Sequence, residues 1–281
     1  MDDTTVLILI TFFAAAVNGG LGYGFSSLTV PVALVFYTNR LLNPAMVLIE
    51  ICVNVYVLAM NRQSLHAVWK RVRPIVLGLP LGVLVGGFFL SSLHPGWIKF
   101  FTYSVLLPLI LIQAAGLRRP IHNENHIGFP FGAGIGFLYA VTTISGPPLA
   151  VLFNNQGLVK RDFRAALGVI RTAESGFTAM VYLALGLYTP ESFSILLTIL
   201  PSVLIGIPVG VFCIRRMNSE TFRRICMTFD VWVVGFGLSR VLMELHLVRS
   251  PLAYGVMLSA LLLDGYLLFV YFSQQRQNDP R

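Results

Sequence analysis

Five ionisable side chains lie inside apolar stretches of the chain: Glu50, Arg171, Glu174, Asp230 and Asp264. At the centre of a bilayer a charge costs at least about 2.5–3.5 kcal/mol unless it is paired or hydrated. Arg171 carries a planar fork of donors that fits an oxyanion, and a neighbouring Glu50 could accept a proton. A structural salt bridge between Glu50 and Arg171 explains the same residues, and the sequence leaves both interpretations open.

A helix break in the second half of the chain supplies further donors for an anion. It reads Ser145-Gly146-Pro147-Pro148, which joins a good N-cap to prolines that only the first turn of a helix tolerates. We predict that one helix ends near Thr142 and the next begins near Pro147. A helix N-terminus has free N–H groups and about half a positive charge, which favours an anion. Because unsatisfied backbone facing lipid costs several kcal/mol, roughly, the break must line protein or a wet cavity.

The first half of the chain contains a matching break. A shift of 121 residues superposes Gly24 on Ser145 and Glu50 on Arg171. The chain therefore consists of two predicted repeats, 1–117 and 128–243, followed by one additional helix at 250–273. Transporters with inverted repeats bind their substrate at the midplane between paired broken helices.

The composition predicts an all-α integral membrane protein. Hydrophobic residues make up 56% and charged residues 11% of the 281 positions, whereas about a quarter of a soluble protein is charged. The net charge of +8 comes from short clusters between apolar runs, so we predict no nucleic-acid partner. The three cysteines lack CxxC spacing, and we predict no metal and no cofactor.

Apolar runs predict the helices. They lie near 4–18, 26–38, 43–61, 71–92, 97–116, 128–142, 147–157, 163–187, 191–214, 220–243 and 251–273. The pairs 4–18 with 26–38 and 128–142 with 147–157 are shorter than the roughly 20 residues that a span needs. Each pair is either two thin spans or a re-entrant hairpin, and the sequence does not distinguish them.

Positive charge predicts the orientation of the bundle. Fifteen of the 20 Lys and Arg residues fall in loops or a tail on one predicted side of the membrane. Cytoplasmic loops collect such residues, so we predict an external N-terminus, a cytoplasmic C-terminus and two repeats of inverted topology.

Two signatures resemble those of a known family. The first is Gly19-Gly20-Leu21-Gly22-Tyr23-Gly24-Phe25 running to Val30-Pro31, and the second is Ile144-Ser145-Gly146-Pro147-Pro148 followed by Lys160-Arg161-Asp162-Phe163-Arg164-Ala165. Together they resemble the sulfite exporter TauE/SafE family, also called the 4-toluene sulfonate uptake permeases, over roughly 12 to 240. The resemblance implies passage of sulfite, sulfonates or related organosulfur anions through the bacterial inner membrane.

The predicted site combines both breaks with the buried charges. Its substrate-binding residues are Gly22, Tyr23, Gly24, Ser26, Ser27, Asn54, Ser145, Gly146, Pro147, Pro148, Asn154, Arg171 and Ser175, with Glu50 and Glu174 as candidates for proton coupling. Asn54 and Ser175 occupy equivalent positions one turn beyond Glu50 and Arg171. Asn154 either donates to the oxyanion or holds helices together. Arg171 and Glu174 are three residues apart, so they can also pair locally.

The two remaining acids point less clearly to function. Asp230 lies one turn past a cytoplasmic Arg pair, so it either snorkels to the interface or has a function. Asp264 lies in the additional helix and is a packing or oligomer contact, which leaves a homodimer open.

We predict a secondary transporter for a small sulfur oxyanion or organosulfonate. The alternatives are a passive anion channel and an intramembrane enzyme. The sequence contains no Ser/His/Asp arrangement and no HExxH motif, so we predict no catalytic residues.

Overall fold

The structure, a computed structural model, describes residues 3–21, 24–115, 124–155, 160–214, 219–249 and 251–278. These residues form eleven α-helices and a 3-10 helix at Arg62–Ser64, with no strand among them. The α-helices are α1 Asp3–Leu21, α2 Phe25–Ala33, α3 Asn39–Met60, α4 Leu65–Ser92, α5 Pro95–Ala114, α6 Glu124–Thr142, α7 Gly146–Asn155, α8 Lys160–Ala184, α9 Pro190–Ile214, α10 Ser219–Glu244 and α11 Tyr254–Asn278. Six helices in this part of the chain are long and apolar enough to cross a membrane. The chain is an all-α integral membrane protein, as predicted.

The first helix of each short pair is longer than expected. α1 and α6 both contain 19 residues, and α1 is one of the six candidate spans. The predicted bounds of 4–18 for the first helix were therefore too short. α1 continues through Gly19 because α9 packs against it there: a Cβ on Gly19 would lie 2.3 Å from the Ile207 carbonyl oxygen. Tertiary packing thus overrides the low helix propensity of glycine.

The second helix of each pair is too short to cross the membrane. α2 has 9 residues and α7 has 10. At a rise of 1.5 Å per residue they extend about 14–15 Å, half of the roughly 30 Å hydrocarbon core. Neither helix alone is therefore long enough to cross that core.

Two pairs of helices approach each other closely through glycine. α4 packs most extensively on α6, and α1 packs on α9. A Cβ on Gly82 of α4 would lie 1.8 Å from the Ala133 carbonyl oxygen, and a Cβ on Gly210 of α9 would lie 1.8 Å from that of Ala16. Only a residue without a side chain permits this approach.

The contacts follow the order of the two predicted repeats. Suppose that α1 to α5 correspond in order to α6 to α10. The contact of α1 with α9 then has its equivalent in the contact of α6 with α4. In the same way α3 contacts its own counterpart α8, and α5 contacts its own counterpart α10. α11 packs mainly on α10, and its helix begins at Tyr254 and ends at Asn278. The division at 1–117, 128–243 and 250–273 stays a prediction that this reciprocal packing supports.

The inverted arrangement predicts that the starts of α4 and α9 face opposite sides of the membrane. His66 at the start of α4 and Glu191 at the start of α9 are both exposed. We expect Glu191→Cys to react with an impermeant maleimide added outside intact cells and His66→Cys to react only after permeabilisation. Cys52, Cys213 and Cys226 would first be replaced by serine. Labelling of both positions from outside would contradict the inversion, and the opposite pattern would reverse the orientation.

Candidate anion-binding site

The break in the second half has the predicted position. α6 ends at Thr142 and α7 begins at Gly146. Between them Thr143 has a φ of 56°, a left-handed conformation that few residues other than glycine adopt. The Val141 carbonyl oxygen accepts a hydrogen bond of 2.7 Å from the Asn43 amide nitrogen on α3. A side chain therefore satisfies a carbonyl near the end of α6, as a helix end inside a membrane requires.

The break in the first half precedes α2. Gly24 has a φ of 106° and occupies the N-cap position of α2. This conformation favours glycine, since a Cβ would be strained there. Gly22 and Tyr23 lie outside the described residues, so their place in the site remains a prediction.

Each break presents a serine hydroxyl to a buried carboxylate. Ser26, the second residue of α2, donates to Glu50 on α3. Ser145, directly before α7, donates to Glu174 on α8. All four residues are buried. The sequence predicted that the Ser145 hydroxyl is an anion ligand, and its partner in the structure is a carboxylate of the protein itself.

Arg171 lies between the two carboxylates. Its Nη2 is 2.6 Å from Glu50 Oε1, and its Nε is 4.0 Å from Glu174 Oε1. The Tyr139 hydroxyl on α6 donates to the other Glu50 oxygen at 2.6 Å. The structure thus brings Glu50 and Arg171 together, and it also forms the local Arg171–Glu174 contact. A continuous series of contacts links the start of α2 to the start of α7.

The guanidinium retains donors that the described protein does not use. Arg171 is 3% exposed, yet its Nε and Nη1 have no hydrogen-bond partner among the described residues. The same holds for Glu174 Oε2. A buried polar group without a partner costs about 1–3 kcal/mol, so native structures rarely leave one. The described residues thus leave Nε and Nη1 of Arg171 without an acceptor.

Asn54 and Ser175 support Arg171 through its backbone. The Asn54 amide nitrogen donates to the Arg171 carbonyl oxygen at 3.3 Å, and the Ser175 hydroxyl donates to the same oxygen. Both side chains are buried. Both side chains were predicted to bind the substrate. In the structure they lie beside Arg171, and their hydrogen bonds go to its main chain.

The other predicted site residues lie in or beside the short helices. Ser27 donates to the Gly24 carbonyl oxygen at 3.2 Å within the first turn of α2. Gly146 and Pro147 are buried in the first turn of α7, and Pro148 is partly buried. Asn154 belongs to α7, but its side chain lies outside the described residues.

Sequence reasoning missed Tyr139. It lies 89 residues from Glu50 and is fully buried. The one available signal was a residue with a polar tip near the end of an apolar helix, one turn before the break. Such a tip usually finds a partner when buried.

The remaining acids lie away from this cluster. Asp230 on α10 is 5% exposed and Asp264 on α11 is 2% exposed. Asp230 is thus buried, whereas a snorkelling side chain would extend its carboxylate to the water at the membrane interface. Asp264 is buried in the helix that packs on α10, in agreement with a packing contact.

Comparison with known proteins identifies the family. The family model for the sulfite exporter TauE/SafE matches residues 7–237, from α1 into α10. Searches of curated proteins and of solved structures found no match. The matched segment includes both breaks and the Glu50–Arg171–Glu174 cluster. The chain therefore belongs to the sulfite exporter TauE/SafE family of transporters and is a multi-pass membrane protein.

Proposed function

We propose that this protein is a secondary transporter for small sulfur oxyanions or organosulfonates in the bacterial inner membrane, with its N-terminus outside. Arg171 binds the anion between the two broken helices. The observation that carries the proposal is the buried guanidinium with donors at Nε and Nη1 that no described residue accepts. It lies where equivalent helices α3 and α8 meet.

The chemistry of the substrate fits this arrangement. Sulfite and sulfonates present three oxygens on one sulfur, and a guanidinium binds two such oxygens through parallel hydrogen bonds. The start of α7 adds a partial positive charge near the same place. Both features attract an anion without requiring a metal.

The burial of the cluster favours alternating access over a passive channel. Ser26, Glu50, Ser145, Arg171 and Glu174 are all buried among the described residues, so these side chains are closed off from solvent in this conformation. Transporters with inverted repeats open such a midplane site to one side at a time. Movement of one half against the other would expose Arg171 in turn to each solution.

Proteoliposome flux tests this function. With the membrane potential held at zero by a potassium ionophore and equal potassium on both sides, labelled sulfite should accumulate against its gradient when the vesicles hold unlabelled sulfite, which a channel cannot do under that condition. Arg171→Lys should lower this counterflow at least about tenfold, equivalent to ~1.4 kcal/mol, because lysine lacks the fork. The control is Arg62→Lys, an exposed site in the 3-10 helix. Unchanged counterflow by Arg171→Lys contradicts the assigned site, flux without counterflow indicates a channel, and a covalently altered product indicates an enzyme.

A further inference from the structure

The buried cluster contains one carboxyl group more than its positive charge can balance. Arg171 is the single cation in contact with Glu50 and Glu174 among the described residues. An unbalanced buried charge is expensive in a membrane. An arriving anion would add to the excess negative charge, so it needs a proton to enter with it.

The two carboxyl groups are not equivalent. Glu50 accepts hydrogen bonds from Ser26, Tyr139 and Arg171, which occupy both of its oxygens. Glu174 accepts from Ser145 alone, and its Oε2 has no partner among the described residues. Protonation of Glu50 would weaken three charge-assisted bonds. Protonation of Glu174 at Oε2 weakens one.

Glu174 also occupies the position that an anion needs. Its Oε1 accepts from the Ser145 hydroxyl at the start of α7 and faces Arg171 Nε at 4.0 Å. These are the groups that would bind an oxyanion under the proposed function. The carboxylate and the substrate therefore compete for the same hydroxyl and the same guanidinium.

We propose, on the basis of the proposed function, that Glu174 carries a coupling proton and exchanges places with the anion. A proton from one solution binds Glu174 Oε2, the neutral side chain releases Ser145 and Arg171, and the anion takes them. When the anion leaves on the other side, Glu174 returns its proton to that solution. Glu50 stays ionised as the fixed partner of Arg171.

The surroundings of Glu174 support this assignment. Among the described residues, the titratable or charged groups that act on it are Arg171 on its own helix, Glu50 on α3 and Tyr139 on α6. Ser145 on α7 contributes a neutral hydroxyl. Of these, only Glu50 could take the proton instead, and its three donors hold its charge.

Binding of methanesulfonate to the full-length protein in detergent tests the proposal. This probe stays a monoanion from pH 5 to 9, so any pH dependence belongs to the protein. At a pH where Glu174 is ionised in the free protein, calorimetry in buffers of different ionisation enthalpy should show one proton taken up per anion bound. Affinity should fall about tenfold per pH unit once Glu174 is ionised, because only the protonated fraction binds.

Variants separate Glu174 from its neighbours. Glu174→Gln should bind the probe with no proton uptake and no pH dependence, whereas Glu50→Gln and the control Asp230→Asn should keep proton uptake. Glu174→Asp, which keeps the ionisable group, should restore uptake and serves as the second variant if Glu174→Gln does not fold.

Three results overturn the inference alone. They are wild-type binding without proton uptake at any pH from 5 to 9, uptake that survives Glu174→Gln, and uptake that disappears in Glu50→Gln. If the wild type binds neither methanesulfonate nor sulfite, the proposed function fails and the inference fails with it.

Discussion

Arg171→Gln should abolish anion binding and lower the free energy of unfolding by about 3–5 kcal/mol, because it leaves two buried carboxyl groups without their cation. Glu50 loses a contact of 2.6 Å, and Glu174 loses its nearby charge at 4.0 Å. Unfolding in a graded mixture of detergent and denaturant measures the loss of stability. Methanesulfonate calorimetry measures the loss of binding.

The double variant Glu50→Gln, Arg171→Gln distinguishes a structural pair from a binding site. It removes both charges of the pair, and the glutamine at 50 can accept from one of the Ser26 and Tyr139 hydroxyls through its oxygen and donate to the other through its amide nitrogen. We expect it to regain much of the stability and none of the binding. A double variant that binds and transports anions normally would show that the pair is structural only.

Gly82→Val and Gly210→Val should each prevent the correct packing of their helices. A Cβ at either position would lie 1.8 Å from a backbone carbonyl oxygen, which cannot rotate away as a side chain can. The helices must separate, at a cost of at least about 3 kcal/mol, the upper end of the range for overpacking. We expect little monodisperse protein by size-exclusion chromatography, and a lowered thermal midpoint for any that remains.

α6, the helix that packs against Gly82, also contains a glycine that serves as a control. Gly134 of α6 has no atom within 4 Å of an added Cβ, so Gly134→Ala should keep the wild-type elution profile and thermal midpoint. Because the two crossings are reciprocal, Gly82→Val and Gly210→Val should have effects of similar size. A normal thermal midpoint for either valine variant would contradict the close approach.

Helix-breaking residues in the sequence made much of the fold predictable. Proline and glycine have strong effects on their own backbone, so the end of α6 at Thr142 and the start of α7 at Gly146 follow from the sequence. The contact between Glu50 and Arg171 was also accessible, since the repeat offset places them at equivalent positions. The length of α1 was not, because its continuation through Gly19 depends on α9.

The partner of Ser145 could not be predicted from the repeat. By the offset that matches Glu50 with Arg171, Glu174 corresponds to Val53, so the carboxylate has no equivalent in the first half. Whether a serine meets a carboxylate, a substrate or a backbone group depends on how α7 lies against α8. The packing of α7 on α8 is a feature of the tertiary structure that the local sequence does not determine. The hydrogen bond from Tyr139 to Glu50 depends on tertiary structure in the same way.

The crossing of α1 with α9 also has a consequence for how the chain is made. About 170 residues separate Leu21 from Pro190, and a ribosome needs roughly 10–30 s to add them. During that interval the glycine and alanine face of α1 is in the membrane without the helix that fits it. α6 follows α4 after only about 30 residues and finds its partner almost at once. α1 is therefore made long before α9, the helix that it packs against most extensively.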